Sequence, residues 1–184
     1  MPRPKLLSDD AVLKSAMRVM ARAGPADFTL AEVAREAGIA AATLVQRFGG
    51  KQHLIVRALK QDNLRLEQIL DQLPEGQSAA AVIALFRILT PEVGDAATQA
   101  DQFHWLGLDM RDPELNALAQ DRFALLRAAV ARRLPPLGLA PDDAARLVEA
   151  QWQGALAQWA VDRQGALADY VTRSLASWFA LAAR

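Results

Sequence analysis

FTLAEVAREAGIAAATLVQRFGGKQHL, residues 28–54, carries more local structural information than any other stretch of the chain. Thr29 is followed three residues later by Glu32, the spacing of a capping box. In that arrangement each side chain accepts a backbone N–H that the first helical turn cannot pair internally. Phe28 just before the cap and Val33 one turn inside it are placed to form the accompanying hydrophobic staple. The helix so begun stops at Gly38, where the missing Cβ lets the chain turn left-handed. A second short helix, from about Ala40 to Arg47, turns Leu44 and Phe48 inward one turn apart, with Ile39 packing just ahead of it. Gly49-Gly50 breaks that helix and Lys51 opens the next. Two short helices joined by a tight glycine turn are the layout of a helix-turn-helix.

With Leu44 facing inward, the 3.6-residue repeat points Ala42 and Gln46 outward, flanked by Thr43 and Val45. Gln46 can read adenine through two hydrogen bonds, whereas Ala42 and Val45 offer only methyl contacts, for instance to thymine. Thr43 and Arg47 are positioned for phosphate or mixed contacts. Lys51 adds a point charge to helix N-terminal amides that already attract phosphate. The expected DNA-contacting set is Thr29, Ala41, Ala42, Thr43, Val45, Gln46, Arg47 and Lys51.

This stretch resembles the DNA-binding motif of the tetracycline-repressor (TetR) family of bacterial transcriptional regulators. The residues that carry the resemblance are Thr29, Val33-Ala34, Gly38-Ile39, Thr43-Leu44, Phe48, Lys51 and Leu54, all in the family's register. Chain length and helical layout are also similar to the family. Val45 stands where the family usually has Tyr, and Ala40 and Gly50 replace the Ser caps that usually start the two following helices. The missing Tyr removes an aromatic and hydroxyl contact to the DNA backbone, so the expectation is weaker or altered DNA binding rather than none.

At 184 residues the chain can bury a proper core in one or two domains. It has no cysteine, which excludes disulfides and thiolate metal sites and fits a reducing cytoplasm. No signal peptide is visible behind Met1, and no run approaches the ~20 apolar residues of a membrane span. A soluble, cytoplasmic protein is expected. The formal net charge of zero hides an asymmetry. Residues 1–60 hold ten Lys or Arg against five Asp or Glu, and residues 61–184 hold eleven against sixteen. A basic head on an acidic body suggests a polyanion partner for the head alone. Arg3 and Lys5, in a Pro-flanked arm, could reach phosphates or a minor groove, or form a solvated terminus.

Outside the motif, every periodic segment has helical spacing and none alternates as a half-buried strand. The chain therefore reads as all-α with about nine helices: a helix-turn-helix domain over 1–50 and a helical domain over 51–184. Ser8 caps the first helix. A long helix runs from Lys51 to about Leu73. Others are expected over about 78–90, 96–109, 142–162 and 166–183, with one starting at Asp112-Pro113-Glu114.

The helices over 142–162 and 166–183 are apolar around more than one face, more than a terminal helix of a monomer needs. Gly154 inside the first of them costs up to about 1 kcal/mol relative to Ala, which close approach of another helix would justify. Pairing with their copies in a four-helix bundle would cover the second face, through Leu147, Gln151, Gly154, Val161, Val171, Ser174 and Trp178. The TetR resemblance implies a homodimer of this kind and an effector pocket in the body.

Aromatic residues of the body could wall a mostly apolar cavity with a few polar groups. Its candidate lining is Phe86, Phe103, His104 and Trp105, with Phe123, Trp152 and Trp159. His53 and His104 lack metal-ligand spacing, and no nucleophile elbow, P-loop or dinucleotide fingerprint is present. No enzyme, cofactor or metal is expected. The resemblance implies a one-component regulator, a repressor, that binds a pseudo-palindromic operator and releases it when a small molecule fills the body. A protein of the same fold that binds small molecules but has lost specific DNA binding is the alternative.

Overall fold

The computed structural model describes residues 7–24, 27–90 and 105–182. Among the described residues every regular element is helical. Eight helices have both ends described: α1 (Asp9–Ala23), α2 (Leu30–Ala37), α3 (Ala41–Phe48), α4 (Lys51–Gln72), α5 (Ala79–Leu89), α6 (Pro113–Ala131), α7 (Pro141–Asp162) and α8 (Leu167–Ala182). Residues 105–109 are also helical. The rest of the helix expected over 96–109 lies outside the described residues, as do the Arg3/Lys5 arm and the pocket candidates Phe103 and His104.

The helix starts follow from local chemistry. Ser8 accepts the Ala11 N–H at the head of α1, and Asp9 and Asp10 sit in its first turn, where the helix dipole favours negative charge. Ser78 caps α5 in the same way through the Ala81 N–H. Asp112 Oδ1 accepts the Glu114 and Leu115 amides at 2.9 and 3.1 Å, and Pro113 opens α6 where its missing N–H costs nothing.

The chain divides into two compact units. The first lies within Met1–Arg65 and Asp101–Ala119, the second within Leu66–Ala100 and Gln120–Arg184. The expected boundary after residue 50 is therefore displaced, and the division falls inside α4 and inside α6. The reason is packing. Leu54, Ile55, Val56 and Ala58 of α4 are buried in one cluster with Val12, Ala16 and Met20 of α1, Val33 of α2, and Leu44 and Phe48 of α3. Leu115 and Leu118 of α6 complete that core, and buried Asn63 donates to the Leu118 carbonyl at 2.9 Å. Cutting at residue 50 would strip the helix-turn-helix of the apolar surface that its two short helices rest on.

In the second unit α8 packs against both α5 and α7. Val82, Leu85 and Phe86 meet Val148, Ala155 and Trp159, and Leu167, Val171, Leu175 and Phe179 close the cluster. One buried charge stands out. Arg133, 3% exposed, donates from Nε to the Pro74 carbonyl (3.1 Å) and from Nη1 to that of Ala129 (2.9 Å). Its Nη2 reaches the carbonyls of Leu73 (2.9 Å) and Leu70 (3.3 Å). These acceptors include the otherwise unpaired carbonyls at the C-terminus of α4, where the helix dipole is negative. Asp71, the acid that meets neighbouring Arg132, is exposed and makes a long pair at 3.7 Å.

Candidate nucleic-acid interface

The helix-turn-helix forms as its residues dictate. Thr29 Oγ1 accepts the Glu32 N–H at 3.2 Å, and Glu32 returns the bond to the Thr29 N–H at 2.7 Å. Those bonds from Thr29 hold the Glu32 carboxyl below its usual range. Phe28 and Val33, the two halves of the staple, are both buried. Gly38 takes φ +68°, a left-handed conformation that a side chain would strain, and the Ile39 N–H bonds back to the Ala34 carbonyl at 3.0 Å. Arg22 and Arg18 of α1 both clasp Glu36 of α2, at 2.9 and 3.0 Å, and keep its carboxyl ionised to lower pH. The scaffold under α3 is thus fastened by apolar contact, caps and charge.

On α3, Leu44 and Phe48 are buried, while Ala41, Ala42, Val45 and Gln46 are exposed and Thr43 and Arg47 are half-buried. The exposed face is small and has a single hydrogen-bonding side chain, Gln46. Val45, 43% exposed, lies beside it where an aromatic ring is usual in the family resembled. Such a face admits close approach to base edges, since nothing bulky projects from it. Ala40 precedes α3 with no side-chain cap, leaving the N-terminal amides of the helix unpaired by side chains. The Lys51 Nζ lies 4.3 Å from the Phe28 ring centroid, a cation-π contact that draws it toward the base of the motif. Thr29 is exposed.

Arg47 differs from expectation. Its guanidinium is not aimed at open solvent: Nε donates to Asp9 Oδ1 at 3.0 Å, and Nη2 bonds to the same oxygen. Arg57 of α4 donates to Asp9 Oδ2 at 2.8 Å and to the Arg47 carbonyl at 3.3 Å. Hydrogen bonds from Arg47 and Arg57 hold the Asp9 carboxyl below the ordinary carboxylate range. Nothing in the sequence signals this cluster, because Asp9 stands 38 residues from Arg47 and 48 from Arg57.

The second unit separates the other candidates. Phe86 is fully buried, with its ring centroid 5.0 Å from that of Trp152, whose Nε1 donates to buried Thr90 Oγ1 at 3.1 Å. Trp159 is buried and donates to the Gly165 carbonyl at 3.0 Å, and Phe123 is half-buried. Trp105 does not join them: it packs against the core of the first unit, because its short helical segment lies on the helix-turn-helix side. A half-open depression elsewhere is lined by Leu134, Pro135, Pro136, Leu137 and Pro141, none of them expected in a pocket.

Of the residues expected to face a partner copy, Leu147 (49%) and Val161 (83%) are exposed. A Cβ placed on Gly154 would meet nothing within 4 Å. Gln151 donates to Ser174 across α7 and α8 at 2.8 Å, and Trp178 is half-buried against Phe179. Val171 is completely buried in its own core, so it faces no partner. Among the described residues no group of acids and histidines is arranged to hold a metal ion, and no helix is long and apolar enough to cross a membrane.

A capped, glycine-turned pair of short helices with an exposed second helix defines a helix-turn-helix protein of the DNA-binding class. Comparison with family models makes this specific: residues 12–58 match the model of the bacterial regulatory proteins of the tetR family. The N-terminal part of the chain is thus a DNA-binding domain of the kind found in that family. A comparison with curated proteins finds no match. Among solved structures, a transcriptional regulator from Rhodococcus sp. Rha1 is similar over 92% of each chain, with TM-score 0.73 and 19% identity. The multidrug-binding protein EbrR, complexed with proflavin, has TM-score 0.62 and 20% identity over 91% of this chain and 97% of its own. FadR from Bacillus subtilis, in complex with stearoyl-CoA, has TM-score 0.62 and 13% identity over 90% and 94%. At these identities the likeness shows a shared fold.

Proposed function

We propose that the chain is a one-component repressor whose homodimer binds a pseudo-palindromic operator through α3 and releases it when a small molecule occupies the second unit. The observation that carries this reading is the exposed face of α3, where Ala41, Ala42, Val45 and Gln46 stand clear of the core behind the capped helix α2. Thr29, Thr43 and Lys51 flank that face and serve the phosphates. A two-fold dimer is the natural reader of two half-sites one helical turn apart.

The dimer reading is supported by the apolar residues left uncovered on α7 and α8, namely Leu147, Val161 and Leu181, and by the open space over Gly154. Ligand control is supported by chemistry in the second unit. The Phe86–Trp152 ring pair, with Phe123 and Trp159, supplies apolar wall. The Thr90 hydroxyl and the Arg127–Glu149 pair (3.4 Å) supply the few polar groups such a site needs. Burial pushes the Glu149 carboxyl up against the pull of Arg127. Proteins of the same fold, EbrR and FadR, were solved with small molecules bound. The site of action is the cytoplasm, where the DNA is.

The second reading, a small-molecule-binding protein without specific DNA binding, draws on Val45, which gives the centre of the face no hydrogen bond. Titration of fluorescent duplexes decides between them. The repressor reading expects the DNA flanking the chain's own gene to bind at least a hundredfold more tightly than random duplex at equal salt. Equal affinity for both would leave the second reading standing.

A further inference from the structure

Asp9, Arg47, Arg57 and Phe48 form a cluster that DNA contact alone does not explain. Both guanidinium carbons lie over the Phe48 ring, at 5.6 and 4.7 Å from its centroid, and Phe48 is 4% exposed, so the ring is a fixed platform. The Asp9 backbone stands at the first position of α1, behind the Ser8 cap. The carboxylate spans the two arginines, one oxygen to each, while Arg57 also bonds the Arg47 carbonyl near the C-terminus of α3. The last turn of the recognition helix is thereby held from α1 on one side and α4 on the other.

Resting on the DNA-reading function above, we propose that Asp9 is a positioning and specificity-determining residue for DNA recognition. It acts in two ways through the same bonds. α3 has only eight residues and no side-chain N-cap, and so short a helix has little stability of its own. Its direction is therefore set by Leu44, Phe48 and this cluster. In addition, two arginines beside a DNA-reading face are ready phosphate ligands, and phosphate contacts raise affinity for every sequence alike. By occupying both, Asp9 limits sequence-independent binding and leaves discrimination to the exposed face.

The test compares Asp9→Asn with Asp10→Asn, each measured on operator and on random duplex over a salt series. Both variants remove one negative charge from adjacent positions. Asp10, however, pairs with Arg65 and Lys14 rather than with Arg47 or Arg57. Asp9→Asn is expected to tighten binding to random DNA and steepen its salt slope by about 1–2, one for each arginine released. It should lower the operator-to-random ratio at least tenfold. Asp10→Asn should leave that ratio within about twofold, and Asp9→Glu should restore it, outcomes that a purely structural role would not produce. Arg47→Ala should leave the random-DNA slope of the parent unchanged but reduce that of the Asp9→Asn protein by about 1.

An identical response to the two Asn variants, or a slope unchanged in Asp9→Asn, overturns the proposal. The random-DNA slopes need no operator. A parent that binds DNA without preference therefore defeats the operator reading while the arginine release is still measured. A parent that binds no DNA defeats both.

Discussion

On the operator-binding reading proposed above, base discrimination rests on Gln46, because it alone on the exposed face of α3 has both a donor and an acceptor. Gln46→Ala should relax preference at one base position in each half-site, by about 1–3 kcal/mol if the contact is bidentate. Lys51 acts differently. It stands at the start of α4, where helix amides and a cation together attract one phosphate. Lys51→Ala should weaken operator and random DNA alike and reduce the salt slope by about 1. Salt-dependent titrations of both variants separate the two roles, and parental behaviour from both would show that DNA docks on another face. Arg47 is excluded from that comparison, since its guanidinium is already taken up by Asp9.

Among the elements, α4 and α7 carry separable tests. The C-terminus of α4 ends on Arg133, whose guanidinium meets four carbonyls in a buried site. Arg133→Met keeps much of the volume but leaves those acceptors unpaired, and one unsatisfied buried group costs about 1–3 kcal/mol. Urea denaturation should report at least that loss, and a change below about 0.5 kcal/mol would mean that water satisfies the carbonyls equally well. On α7, Gly154 is surrounded by open space, so a side chain there meets no strain within the chain. Gly154→Leu should therefore keep helicity and thermal stability of the monomeric fold while blocking close approach of a second copy. Sedimentation should show the parent as a dimer and the variant as a weaker one or a monomer. A monomeric parent at micromolar concentration would overturn the dimer reading.

For the whole molecule, ligand and DNA must be linked if the protein is a ligand-released repressor. α4 and α6 each contribute residues to both units, so on that reading they are the continuous elements along which occupancy of one would be felt in the other. A ligand that favours the DNA-free state about a hundredfold shifts the equilibrium by roughly 2.7 kcal/mol, and operator must weaken that ligand by the same factor. Trp152, Trp159 and Trp178 lie in the second unit and report on ligand there, whereas Trp105 belongs to the first. A ligand found by tryptophan quenching should bind about a hundredfold more weakly to the operator complex. Equal affinity with and without operator would show that its site does not control DNA release.

The motif was legible in the sequence because its determinants are local. Thr29 and Glu32 are three residues apart, Gly38 answers a backbone angle, and the inward turn of Leu44 and Phe48 follows from helical period alone. The same locality placed the starts of α1, α5 and α6 at Ser8, Ser78 and Asp112. What periodicity cannot tell is which surface covers an apolar face, or which charge a long side chain will meet. Val171 and Gly154 sit on neighbouring apolar helices, yet one is sealed in the core and the other is open. Trp105 reads as part of the body until packing sets it beside the helix-turn-helix. Arg47 reads as a residue for phosphate or mixed contacts until α1 brings Asp9 to it, and no local signal brings Arg133 to the carbonyls at the end of α4. Such pairings depend on segments dozens of residues apart becoming neighbours, and only the folded packing of the helices decides that.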